Sequence, residues 1–195
     1  MATISVKDGS GNFVTVPVLP LGQTSASGSV SVVPASDVGG ISSVTVSPAI
    51  TSIIPYTAGN QVGGLMTFSS AVNSITYSGV IDSIVIKSKS VQTSGFNLYL
   101  FKTNPTSSTW TDKITPAINA SDIPYLIGVY SFDATDDSGL GTITLYQSSS
   151  TFGNGNSPKA IVLTSSNLYG VLVATGTPTF NSTSDISVTV NILKS

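Results

Sequence analysis

The last segment of the chain alternates without a break. Ile186, Val188, Val190 and Ile192 fall on one face, and Ser187, Thr189 and Asn191 on the other. A two-residue period of this kind predicts a strand with one buried side. Comparable segments run over Gly64–Ser69, Val80–Lys89, Phe96–Lys102, Tyr125–Phe132, Leu140–Tyr146, Ala160–Thr164 and Leu168–Thr175. Turn-forming pieces separate them, among them TNP at 103–105, DDSG at 136–139 and GNGN at 153–156. No stretch keeps a helical period, and Thr115–Ser121 has room for a turn or two at most. About eight short strands with Gly, Pro and Asn punctuation predict an all-β fold, an antiparallel β-sandwich of jelly-roll type.

The first 50 residues read differently. Ile4–Lys7 and Phe13–Val16 flank DGSGN at 8–12 and predict a small hairpin. Beyond it come a Ser/Gly tract, QTSASGS at 23–29, and two short apolar clusters, VPVLPL at 16–21 and VSVVP at 30–34. Four of the ten prolines fall in this region, and proline is kept out of central strands. Such a stretch cannot build a core, yet it holds too many Val and Leu for a plain linker. The expected organisation is an extended N-terminal arm over 1–50 and a β-sandwich domain over 51–195. The arm is expected to lie on a partner through Phe13, Val14, Val16, Val18, Leu19, Leu21, Val30, Val32 and Val33. A chain starting near Thr51 is expected to fold by itself.

Composition then narrows the chemistry. The chain has no Arg, Glu, His or Cys, nine Asp and seven Lys, and Ser plus Thr make up about three residues in ten. Without His it lacks the usual general base and the commonest metal ligand. Without Cys it has no thiolate, Zn–thiolate site or disulfide. Without Arg it has no bidentate fork for phosphate or carboxylate. A net charge of −2 with scattered Lys argues against a nucleic-acid partner. No apolar run approaches the ~18 residues of a membrane span, and the opening MATISVKDG has no signal-peptide core. A weakly charged surface favours association, which suits a protein buried in an assembly.

No catalytic, cofactor-binding or metal-binding residue is assigned. Asp133, Asp136 and Asp137 form the densest acidic cluster, and their spacing could offer carboxylates to Ca²⁺. No Glu closes the site, and Asp is also a common turn former, so the loop reads as a solvated turn. Glycoside hydrolysis by two Asp finds little support, and few aromatics argue against a sugar cleft. The many Ser have no His to activate them. Trp110 sits in an expected loop, either as an interface anchor or packed on its own sandwich.

Several segments resemble one group of proteins. TISVKDGSGNFVTVP at 3–17 is similar to the opening of tailed-bacteriophage virion proteins. SVSVVPASD at 29–37 resembles a phrase S-x-P-V-V-x-A-S-D found in such proteins, except that Ser31 stands where the phrase has Pro, with Pro34 three places later. YTAGNQVGGLMTF at 56–68, NLYLFKTNP at 97–105 and LYGVLVATGTPTF at 168–180 are similar to the same group. The resemblance implies a virion component and transfers no catalytic residue. The expected function is a capsid decoration (cement) protein that clamps the major capsid protein through its arm, as a homo-oligomer with a trimer as the expected state. A tail-fibre or receptor-binding module for a host glycan is the alternative. A calcium-dependent lectin or glycosidase would rest on the Asp133–Asp137 loop alone.

Overall fold

The computed structural model describes residues 3–7, 9–17, 40–51, 54–133, 144–147 and 159–195. The chain divides into two compact units, Met1–Ser36 and Asp37–Ser195. In the first, β1 (Thr3–Lys7) and β2 (Phe13–Pro17) form a two-stranded antiparallel hairpin, with Lys7 opposite Phe13.

The second unit is all-β. Its strands are β3 (Ile41–Val46), β4 (Gln61–Phe68), β5 (Ser78–Ser88), β6 (Phe96–Phe101), β7 (Leu126–Phe132), β8 (Thr144–Gln147), β9 (Lys159–Val162), β10 (Leu168–Ala174) and β11 (Ile186–Lys194). One sheet has the order β4-β10-β6-β7. The other has the order β3-β11-β5, and β8 and β9 share the far side of β5. All pairings are antiparallel. β3 pairs with β11, β4 with β10, β5 with β8 and β9, and β6 with β7. That nesting of early strands with late ones is what folding one long antiparallel ribbon over itself produces, and it is the winding of a jelly roll. β8 and β9 take a single strand position, one pairing Val85–Ser88 and the other Ser78–Ile81.

The alternating positions face inward as the sequence predicts. Ile186, Val188, Val190 and Ile192 are all buried in the main core, opposite Met66, Phe68, Leu98, Leu100 and Phe132 from the other sheet. The spacing of Ile81, Ile84 and Ile86 breaks the two-residue period, and a bulge resolves it. Ser83 pairs with Asn191 and Ile81 with Ile192, so the exposed Asp82 is the extra residue. Edge-on aromatic pairs fill the sandwich, Phe96 with Tyr146 at 5.4 Å and Tyr56 with Phe180 at 5.5 Å. Gly170 matters here, because a Cβ on it would stand 2.9 Å from the Phe68 ring.

One strand lies where the sequence pattern places arm. Ile41–Val46 pairs with Val188–Leu193 along its whole length, and Val44 and Val46 pack on the main core. The sandwich therefore begins before residue 51. The strand is hard to see in sequence because Ile41 faces outward while Val44 and Val46 face inward, so its apolar residues fall in both phases. The segment Thr115–Ser121 forms no helix, and a single 3₁₀ turn follows it at Ile123–Tyr125.

Candidate functional site

Of the arm residues expected to touch a partner, the Phe13 ring can be described most fully. It is 73% exposed at the start of β2, with the Lys7 ammonium 5.2 Å from its centroid. Val14 and Val16 lie on the same strand. Val18, Leu19, Leu21, Val30, Val32 and Val33 lie outside the described residues, as do Asp136 and Asp137. Among the described residues no three acidic, His or Cys side chains gather as a metal site.

The sandwich adds a second apolar surface that no single segment announces. On the outer face of the β3-β11-β5 sheet, Ile41 stands beside Leu193, Leu193 beside Val80, and Val80 beside Ala160 on β9. Directly paired residues of antiparallel strands point the same way, so these four form one continuous row. Ile41 is 72% and Leu193 43% exposed, and the exposed Val162 extends the patch along β9. The neighbouring rows are more polar: Ser43, Asn191 and Ser83 in one, and in the next Thr45, hydrogen-bonded to Thr189 at 2.8 Å, with Val85 on the other side of Thr189. The row begins on β3, the strand that follows directly on the N-terminal segment. Its sequence signal was the out-of-phase apolar residue, Ile41 before Val44 and Leu193 after Ile192.

The opposite sheet has its outer face covered by its own chain. Phe101, Val171 and Val173 are buried there beneath Trp110, Ile118 and Tyr125 from the long connection between β6 and β7. Trp110 lies 5.6 Å from Phe101 and donates its Nε1–H to the Pro105 carbonyl at 2.9 Å. Its role is thus packing on its own sandwich.

One carboxylate holds this connection to the rest of the domain. Asp112 accepts hydrogen bonds from the Thr51 N–H at 2.8 Å and hydroxyl at 2.7 Å, the Tyr56 hydroxyl at 2.7 Å and the Gly63 N–H at 2.7 Å. Gly63 adopts φ +72° with Pro48 and Ala49 pressed against it, a place only glycine fits. Burial works to raise the Asp112 carboxyl, but the donors from Thr51, Tyr56 and Gly63 outweigh it and hold it below the usual carboxylate range. Burial, together with the Asp112 carboxylate, pushes the Tyr56 phenol upward. With four donors satisfied, Asp112 is a structural tether and has little acceptor capacity left for acid–base work.

Asp112→Ala should cost about 3 kcal/mol at neutral pH, because the donors it satisfies lose a charged acceptor. A carboxyl lowered by folding stabilises above its unfolded pKa, and that contribution is lost as pH falls through the folded value. Wild-type and variant denaturation curves should therefore converge in acid below the ordinary carboxylate range. A constant gap down to full protonation would show that the ionised hydrogen bonds contribute nothing.

No protein family, curated protein or solved structure matches this chain.

Proposed function

We propose that this protein is a structural component of a bacteriophage virion, a capsid decoration protein that binds the major capsid protein through its N-terminal arm. The observation that carries this reading is the N-terminal hairpin. A two-stranded sheet is marginal in water without something to pack on, and this one has only β1 and β2 and presents Phe13 to its surroundings. Burying Phe13 and the Val-rich strand against a partner at about 25 cal/mol per Å² supplies several kcal/mol. The apolar row from Ile41 to Ala160 gives the sandwich a second apolar surface. Apolar contacts dominate both surfaces, with the Lys7 ammonium beside Phe13 on the hairpin, so attachment should depend little on salt. The same surfaces suit a homo-oligomer, with a trimer as the proposed state. A structural role fits a chain with no His, Cys, Glu or Arg, whose best-held carboxylate serves as a tether.

The test is co-sedimentation with capsids that lack the protein, comparing the full chain with one starting at Gly40. That start keeps β3 and so leaves the sandwich intact. The full chain should bind at low and high salt, and the shortened one should bind far more weakly. Equal retention of both would defeat the arm hypothesis and leave the Ile41–Ala160 row as the attachment surface.

A further inference from the structure

The covered face of the β4-β10-β6-β7 sheet is not filled throughout. A cleft of about 300 Å³ opens between the sheet and the connection that crosses it, at the lower end of the size range of small-molecule sites. Asn97 and Tyr99 on β6 and Val173 on β10 line it from the sheet, Thr115 and Pro116 from the connection, and Thr175 at the end of β10. None of its lining residues carries a charge. An anion or an ammonium ligand would leave water there with no opposite charge to meet it.

What the cleft offers is neutral. Asn97 brings an amide with two donors and one acceptor, and Tyr99, Thr115 and Thr175 bring hydroxyls that both donate and accept. No hydrogen bond between described residues involves these four side chains. Tyr99, Pro116 and Val173 add apolar surface to the same lining.

We propose that this cleft binds one neutral hexopyranose unit, without cleaving it. A pyranose has a C–H face suited to an aromatic or proline surface and a rim of hydroxyls that each donate and accept. That matches the cleft's combination of apolar surface and neutral polar groups better than a wholly apolar or an ionic ligand does. The inference departs from the expectation drawn from composition, which counted aromatics along the chain and could not see that Tyr99 shares a cleft with Asn97 and Thr115. It is independent of the attachment role proposed above.

Amide NMR with glucose, galactose, mannose and N-acetylglucosamine, each titrated to about 50 mM, tests it, since a ligand of this size binds at best in the millimolar range. At least one sugar should move the amides of Asn97, Thr115 and Thr175 saturably. Asn97→Ala, which removes the amide, and the near-isosteric Thr115→Val should each weaken that binding about tenfold with the thermal midpoint kept. Thr189→Ala, on the opposite sheet, should leave it unchanged. Methyl glycosides separate two sources of the same unit: binding equal to the free sugar assigns the cleft to glycan-borne residues, and exclusion assigns it to the free sugar. The proposal is overturned if no sugar moves these amides, if both cleft variants bind as wild type, or if sodium phosphate or acetate produces the same shifts.

Discussion

Val188→Asp is expected to abolish the cooperatively folded state. Val188 has no exposed surface and sits at the centre of the inward face of β11, between Val46 on β3 and Ile86 on β5. A carboxylate placed there would be buried with no partner, or would protonate and still leave a polar group unsatisfied. Adding the lost burial of valine, the total is about 5 kcal/mol or more, comparable with the whole stability of a domain this size. Thr189→Asp, one residue on, points to the outer face and removes only the hydrogen bond to Thr45, so it should cost about 1 kcal/mol. Urea denaturation of both variants checks the pair. A Val188→Asp midpoint close to wild type, or equal losses in the two variants, would contradict the inward assignment of this strand.

The second large effect concerns where the sandwich begins. A chain starting at Thr51 lacks β3, and with it go the ladder to Val188–Leu193, the inward Val44 and Val46, and the buried Ile50. It also removes Pro48 and Ala49, the neighbours pressed against Gly63. Losing three buried or half-buried aliphatic side chains costs about 4 kcal/mol in transfer free energy alone. β11 then becomes an open edge, with unpaired backbone groups over six positions, which invites edge-to-edge association. A chain starting at Gly40 should be monodisperse and melt near the full-length protein. One starting at Thr51 should melt much lower or aggregate on size-exclusion chromatography. Indistinguishable melting of the two would mean that β3 contributes nothing to the domain.

The strands with a clean two-residue period were legible from the chain alone. Ile186 to Ile192 is the clearest case, because in a strand successive side chains must take opposite faces and only one of those faces is dry. The all-β class and the sandwich follow from a run of such strands with turn residues between them. The absence of His, Cys, Glu and Arg was equally plain, since it needs no structure to establish. β3 was not legible, because outward Ile41 and inward Val44 cancel each other's periodic signal. Nor was the tether at Asp112, whose donors Thr51, Tyr56 and Gly63 lie 49 to 61 residues away in sequence. The apolar row draws Ile41, Val80, Ala160 and Leu193 from four strands, and the cleft draws Asn97, Thr115 and Val173 from two strands and a connection. Periodicity is a local property and fixes which way a side chain points. Register between distant strands decides which side chains stand together, and only the folded sheets set that register.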